Sequence, residues 1–289
     1  MIPLFRPAFA FTIVFLALAT MNSEGAHLRL HPSNPHYFDF RGKPTVLITS
    51  GEHYGAVLNE EFDYKTYLAT LHRDRLNLTR TFTNYRELPG AFGISGNSMA
   101  AKTERYLAPW ARSTTPGYLD GGSKFDLKQW DPRYWTRLTD FVIEAGRQEV
   151  VVEINVFSTF YDNNSWSASP MNASNNINGI GAVAHNEPFT LKDAELTAIE
   201  DAYVKKLVET LRNFDNVYYE ICNEPYFAGP TAQWQKHVSE VISGAEENFP
   251  LKHLISQNFA NGSDKIKEPN PLVSIYNFHY AIPPDAVAL

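Results

Sequence analysis

The sequence predicts an α/β fold, a (β/α)8 TIM barrel of which strands one to six are present. Two observations predict it. Short runs rich in β-branched residues alternate with segments of helical periodicity, and this alternation implies parallel strands joined by right-handed crossovers. The two longest insertions, residues 83–129 and 158–193, both follow strands, so both should lie at one end of the sheet. An open, doubly wound sheet is the alternative, but no glycine-rich loop follows the first strand to support it.

The first 22 residues resemble a secretory signal peptide. One positive charge, Arg6, precedes an apolar stretch over residues 8–19, and small residues follow it. The apolar stretch is about twelve residues long, whereas a membrane-spanning helix needs roughly twenty, so an uncleaved anchor is the weaker alternative. We expect a secreted or periplasmic protein with no membrane contact after cleavage.

The mature chain is divided into two parts by this interpretation. Residues 23–44 should form an N-terminal hairpin, because Pro32 and Asn34-Pro35 supply a turn inside the segment 27–40. Residues 45–289 should form the barrel.

Six strands are predicted from short β-rich runs, over residues 45–48, 78–82, 150–157, 217–222, 253–257 and 273–278. Four helices are predicted from apolar residues at helical spacing, over residues 64–71, 134–145, 196–211 and 234–245. The pair Asp131-Pro132 marks the start of the second helix. No helix is predicted between the last two strands.

Charge and cysteine content exclude several classes of partner. The chain has 25 basic and 32 acidic residues and no basic run, which argues against nucleic acid or an anionic membrane and favours a neutral substrate. The single cysteine, Cys222, cannot form an internal disulfide, so stability must come from packing. No ligand spacing supports a metal site at His53 or His185, and we expect neither metal nor cofactor.

Several aromatic residues lie in predicted loops rather than in periodic segments. They are Tyr85, Trp110, Tyr118, Tyr161 and Trp166. Aromatic faces in loops are surfaces on which sugar rings stack, although such residues also pin loops to the core. We expect Tyr85, Trp110, Tyr161 and Trp166 to contact a sugar substrate.

Polar residues follow or end most of the predicted strands. They are Glu52, His53 and Tyr54 after the first strand, Arg80 in the second, Asn155 in the third, Asn223 and Glu224 at the fourth, and His279 and Tyr280 after the sixth. Such groups converge on the catalytic face of a barrel. Glu52, His53, Tyr54 and Asn155 are expected to contact substrate.

Asn223-Glu224-Pro225 at the fourth strand, Arg80 at the second and Asn277-Phe278-His279-Tyr280 at the sixth resemble the retaining glycoside hydrolases of clan A, in particular the cellulase-like enzymes of family 5. The resemblance implies a secreted hydrolase that cleaves β-linked oligo- or polysaccharides by double displacement. It also implies that Glu224 is the general acid/base and that Asn223 binds the sugar 2-hydroxyl. Arg80, His279 and Tyr280 would surround and orient the nucleophile.

The chain departs from this family at its C-terminal end. Retention needs two carboxyl groups about 5–5.5 Å apart, and the family carries its nucleophilic glutamate after the seventh strand. Nine residues follow Tyr280, so we expect a fragment without the nucleophile, whose activity is in doubt and whose unpaired strand edges reduce solubility. A non-catalytic carbohydrate-binding barrel is the alternative.

Other acids inside the predicted barrel do not replace the missing nucleophile. Glu220 should lie about 13 Å deeper than Glu224 along the same strand, and Glu153 should be a buried acid that Arg80 or another polar neighbour satisfies. Structural roles are also open for the favoured residues: a core ion pair for Arg80, a buried histidine for His279 and a loop cap for Glu224.

Overall fold

The computed structural model of the chain describes residues 27–49 and 54–281. The predicted signal peptide, Glu52, His53 and residues 282–289 lie outside the described residues. No helix of the described part is long and apolar enough to span a bilayer.

Ten strands and five α-helices follow one another in the described part of the chain. The strands are β1 (Arg29–Leu30), β2 (Phe38–Phe40), β3 (Lys43–Thr45), β4 (Leu78–Phe82), β5 (Trp110–Pro116), β6 (Ser123–Trp130), β7 (Val151–Ser158), β8 (Val217–Asn223), β9 (Ile255–Asn261) and β10 (Ile275–His279). The helices are α1 (Tyr64–Arg73), α2 (Pro132–Arg147), α3 (Asn163–Ser167), α4 (Ala194–Leu211) and α5 (Ala232–Ala245).

A curled sheet of five parallel strands forms the centre of the fold, in the order β10-β9-β8-β7-β4. The predicted α/β alternation is therefore confirmed, and the sheet has the form of a half-barrel. Every strand of this sheet pairs in parallel with its neighbours, so all five carboxyl ends lie at one edge. That edge is where polar groups from different strands meet.

The four long helices begin at residues that cap them. Asp63, Asp131, Asp193 and Thr231 each accept a hydrogen bond from a backbone N–H in the first turn of α1, α2, α4 and α5. Such a cap stabilises a helix by about 1 kcal/mol. All four predicted helices are confirmed.

The main core lies between these helices and the sheet. Helix α2 shows how it forms, because Tyr134, Leu138, Phe141 and Val142 lie on one face and are all fully buried. Burying one such side chain stabilises the fold by roughly 1.5–3 kcal/mol. The amphipathic spacing thus fixes which face of each helix meets the strands.

The predicted hairpin near the N-terminus is present as the antiparallel pair β1 and β2, which β3 extends to a three-stranded sheet. Leu28 before it and Phe40 within it pack with Val151 and Tyr218 in a second, smaller apolar cluster. These two partners lie near the starts of β7 and β8. The hairpin therefore covers the end of the sheet opposite to the carboxyl edge.

The prediction of a first barrel strand over residues 45–48 was wrong. Thr45 ends the antiparallel strand β3, and Val46 and Ile48 are about half exposed outside any strand. The side chain of Asn77 replaces a strand ladder here, since its Nδ2 donates to the Val46 carbonyl at 2.9 Å and its Oδ1 accepts from the Ile48 N–H at 2.7 Å. The segment therefore lies beside β4 without regular pairing.

The sequence predicts no strand or helix in the insertion over residues 83–129, but the structure shows regular elements there. It contains the antiparallel pair of β5 and β6, whose register is interrupted by irregularities. The β6 residue Phe125 is buried with Tyr118 and Tyr106 in the main core. This hairpin gives the insertion its own hydrophobic anchor.

Candidate active site

Glu224 lies directly after β8, at the carboxyl edge of the sheet. Its backbone has φ +49°, an uncommon conformation for a residue with a side chain. Two neighbouring strands hold it there: its N–H donates to Asn258 Oδ1 at 2.7 Å, and its carbonyl accepts from Thr159 Oγ1 at 2.8 Å. Asn258 belongs to β9 and Thr159 follows β7, so both neighbours of β8 position this residue.

The carboxylate of Glu224 has two side-chain partners. His279 Nδ1 lies 2.9 Å from Oε1, and the Tyr161 hydroxyl donates to Oε2. Burial acts to raise the pKa of Glu224, but the hydrogen bonds from His279 and Tyr161 outweigh it, and the pKa lies below the usual value. The described surroundings of Glu224 therefore favour its ionised form.

Asn223 links this carboxylate to the interior of the sheet. Its Oδ1 accepts from Arg80 at 2.9 Å, and its Nδ2 donates to the Tyr161 hydroxyl at 2.8 Å and to Ser158 Oγ at 3.3 Å. Tyr161 in turn donates to Glu224. A continuous chain of hydrogen bonds thus runs from the buried guanidinium to the exposed edge.

Arg80 lies below the site, in a buried cluster with two acids. It forms ion pairs with Glu153 at 3.3 Å and with Glu220, and Tyr218 donates to Glu153 at 2.7 Å. Burial raises the pKa of Glu220 well above its usual value, whereas the hydrogen bond with Glu220 and the charge of Arg80 outweigh burial at Glu153 and hold its pKa below the usual value. The prediction that Arg80 satisfies a buried Glu153 is confirmed, and the contacts of Arg80 match the ion-pair alternative.

A cavity of about 480 Å³ opens beside Glu224. Its size is that of a small-molecule site. Six predicted site residues are on its wall: Tyr54, Tyr85, Tyr161, Asn223, Glu224 and Tyr280. Tyr280 is 81% exposed at its mouth, and Tyr54 stacks on Phe82 with ring centroids 4.2 Å apart.

A second cavity, of about 530 Å³, adjoins the first and shares part of its wall. The two have Tyr85, Glu87, Phe92 and Tyr161 in common. Together they form a groove at the carboxyl edge.

Three predicted substrate contacts are wrong, because the side chains are buried away from the groove. Trp110 has no exposed surface and packs against Tyr203, with ring centroids 5.5 Å apart. Trp166 is 3% exposed and donates to the Val183 carbonyl at 2.9 Å. Asn155 is buried inside the sheet and donates to Glu220.

Trp110 begins β5 and Trp166 lies in α3, and the two buried rings anchor the insertions after β4 and β7 to the core. Tyr118, the remaining loop aromatic, is buried as well, and its hydroxyl donates to the Ala168 carbonyl at 2.6 Å. Glu52 and His53 lie outside the described residues.

Sequence reasoning missed six residues of the Glu224 cavity wall, Phe82, Glu87, Phe92, Ile94, Met99 and Phe227, and also Asn258. Glu87 and Phe92 lie in the insertion after β4, Phe227 follows Glu224, and Asn258 lies in β9. An insertion without periodicity gives no signal for which of its side chains reach the groove. Asn258 could have been found, since it is a polar residue directly after the strand predicted over residues 253–257.

The groove contains no obvious cation site. Among residues 27–49 and 54–281, no three His, Cys, Asp or Glu side chains are grouped closely enough to hold a metal ion. Cys222, next to Asn223, is fully buried, and burial raises the pKa of its thiol. A reactive thiolate is therefore not favoured at this position.

The half-barrel and its carboxyl-edge groove define a fold of the glycoside hydrolase family 5 type, as comparison with solved structures shows. A "putative glycoside hydrolase" from Bacteroides vulgatus matches with a TM-score of 0.57 and 14% identity, over 86% of this chain and 42% of that one. A family 5 mannosidase from Rhizomucor miehei matches with a TM-score of 0.52 and 12% identity, over 81% of this chain and 56% of that one.

An endo-1,4-beta-mannanase from Rhizomucor miehei matches with a TM-score of 0.50 and 13% identity, over 82% of this chain and 63% of that one. This chain therefore spans less than two thirds of the length of each of the three structures. No protein-family model and no curated protein matches the sequence.

Proposed function

We propose that the protein is a secreted glycoside hydrolase that cleaves a β-linked glycan with retention, with Glu224 as its general acid/base. The observation that carries the proposal is the position of Glu224, at the tip of β8, on the wall of a groove and in contact with His279 and Tyr161. The mannosidase and mannanase with this fold make mannans the first substrates to test.

The proposed reaction has two displacements. In the first, protonated Glu224 gives its proton to the glycosidic oxygen as the C–O bond breaks, while a second carboxylate attacks the anomeric carbon. In the second, Glu224 takes a proton from the water that attacks this carbon and releases the carboxylate. The second carboxylate is, in this proposal, a nucleophilic glutamate of the kind that the resemblance to family 5 implies.

The protonation of Glu224 depends on that second group. Among the described residues its pKa is lowered, which suits a base better than an acid. A carboxylate placed about 5–5.5 Å away would raise the pKa by like-charge repulsion and so provide the acid for the first step. Formation of the glycosyl-enzyme would remove this charge and return Glu224 to its basic form.

The same lowered pKa favours a second candidate function, a barrel that binds carbohydrate without hydrolysing it. An ionised Glu224 would then accept hydrogen bonds from sugar hydroxyls. Tyr280 and Phe227, both exposed on the groove wall, would stack on sugar rings. Both candidate functions predict that the protein binds a glycan, but only the hydrolase predicts that it cleaves one.

The test is hydrolysis of soluble mannans, β-glucans and aryl β-glycosides by the purified protein and by Glu224→Gln. Hydrolysis by the protein should fall by about 10²–10⁴-fold in the variant, the usual effect of losing a general acid/base. Glu209→Gln, which changes an exposed helix residue, is the matched control and should hydrolyse normally. Sugar binding without any turnover would favour the binding-only barrel.

A leaving-group comparison tests the role of Glu224 itself. A dinitrophenyl group departs without a proton, so Glu224→Ala should still release dinitrophenol from a dinitrophenyl β-glycoside while losing hydrolysis of mannan. Equal loss on both substrates would contradict the acid/base role.

A further inference from the structure

Glu87 is a buried carboxyl with one weak hydrogen-bonding neighbour. The residue is only 4% exposed, and no close hydrogen bond to either carboxyl oxygen is formed within the described part of the chain. The Asn97 amide approaches as a hydrogen-bond donor, which lowers the pKa of Glu87, but burial outweighs it and the pKa lies above the usual value. Buried polar groups in native proteins are normally satisfied, so such a group calls for a functional explanation.

The position of Glu87 suggests what its partner is. It is one of four residues common to both cavities of the groove, together with Tyr85, Phe92 and Tyr161. Glu87 therefore lies at the junction between the cavity that holds Glu224 and the cavity beyond it. A ligand that extended from the first into the second would pass this carboxyl.

Phe92 supplies an apolar surface at the same junction. Its ring is on the wall of both cavities, and the residue is 76% exposed. The backbone of Phe92 has φ +54°, between Gly90 at +81° and Gly93 at +72°. A bulky residue in this region is strained, and strain of this kind is found at functional sites.

A sugar ring needs the two groups that meet here. Its C–H face packs on an aromatic ring, and its hydroxyls bond to a carboxyl that can accept and, when protonated, donate. The groove also contains Asp162 and Asn164, while the guanidinium of Arg86 is bound to Asp120 at 2.8 Å. This arrangement suits a neutral ring and disfavours a uronic acid.

We propose that the second cavity is a sugar-binding subsite for the neutral glycan that occupies the Glu224 cavity, and that Glu87 is its specificity-determining residue. The inference rests on the proposed function, because it takes a glycan as the ligand. Glu87 bonds the hydroxyls of the ring at the junction, and Phe92 supports the face of that ring.

The test measures binding, not turnover, in the Glu224→Gln protein. Calorimetry is carried out with mannobiose, mannohexaose, cellobiose and cellohexaose. A hexaose that fills both cavities should bind more tightly than its disaccharide. Adding Glu87→Leu should weaken hexaose binding about tenfold or more, the value of a lost hydrogen bond to a carboxyl, and should remove most of the advantage over the disaccharide.

Two companion variants sharpen the result. Glu87→Gln keeps one donor and one acceptor and should bind the hexaose within about threefold of the parent. Phe92→Ala should weaken it by several-fold. Glu104→Leu, at an exposed acid in the same insertion, is the control and should not change binding.

Thermal melting separates recognition from a structural role. Because the Asn97 amide only partly offsets the burial of the Glu87 carboxyl, Glu87→Leu removes an unfavourable group, and its Tm should equal or exceed that of the parent. Two results would overturn the subsite and leave the proposed function unaffected. One is unchanged hexaose binding in Glu87→Leu, and the other is a loss of hexaose binding that is accompanied by a fall in Tm. Failure of the parent to bind any of the four sugars would overturn both.

Discussion

Replacing Arg80 with leucine should strongly destabilise the protein, because it leaves two buried acids without their cation. The side chains of Arg80, Glu153 and Glu220 are 4%, 6% and 0% exposed. Removal of one partner from a buried ion pair costs about 3–5 kcal/mol. For a domain of this size, 1 kcal/mol corresponds to about 2–4 °C, so Tm should fall by roughly 6–20 °C.

The loss should depend on pH in a defined direction. Without Arg80, the folded-state pKa of Glu153, which is lowered in the intact cluster, should rise above the unfolded value near 4.5, and the pKa of Glu220, already raised by burial, should rise further. An acid with a raised folded pKa contributes its stability below the unfolded pKa and loses it as pH increases, so the destabilisation should be larger at pH 7 than at pH 4.5.

Urea unfolding followed by circular dichroism at these two pH values measures the effect. Arg29→Leu, which removes a half-exposed partner of Asp39, is the matched control and should cost less than about 1 kcal/mol. Adding Glu153→Gln and Glu220→Gln to Arg80→Leu should restore part of the stability. A loss below about 1 kcal/mol, or one equal at both pH values, would refute the account of this cluster.

Three further predictions concern the site and its support. Tyr161→Phe should raise the pKa of Glu224 by removing a donor. Because that pKa is lowered in the folded protein, the stability it contributes is present above about pH 4.5 and is lost as pH falls through the folded value. Carboxyl NMR titration should show that the folded-state pKa of Glu224 lies closer to its unfolded value in the variant. Trp110→Ala should lower the free energy of unfolding in urea by about 3–5 kcal/mol and leave hexaose affinity unchanged. Weaker hexaose binding by a variant of normal stability would instead support the prediction that Trp110 contacts sugar. Gly181→Ala would place a Cβ 2.0 Å from the Met171 carbonyl oxygen at φ +85°, so Tm should fall, and an unchanged Tm would contradict that contact.

The helices and the central strands could be predicted from the sequence because their signals are local. The apolar spacing from Tyr134 to Ala145 and the Asp131-Pro132 start define α2 within a few residues of its observed bounds. Runs such as residues 217–222 are short, β-rich and bounded by turns, so β8 was placed correctly. The tip position of Glu224 followed from the same run.

Contacts between distant parts of the chain could not be predicted in this way. The segment 45–48 has the composition of a strand, but the Asn77 side chain takes the backbone groups that a ladder would use. Trp110 and Phe92 both lie in the insertion after β4, yet one is fully buried and the other is largely exposed. Trp110 begins the β5–β6 hairpin and is buried, whereas Phe92 lies in a separate turn outside the hairpin, so residue type alone does not distinguish the two rings.

Two of the main-chain hydrogen bonds of Glu224 reach the neighbouring strands, and they make its carboxylate a reporter of strand pairing. Thr159 and Asn258 hold the residue from β7 and from β9, so its position depends on the alignment of three strands. A slip or loosening at either border would move the carboxylate relative to His279 and Tyr161 and change its titration. Local opening of the sheet would thus be visible at a single ionisable group, long before the protein unfolds as a whole.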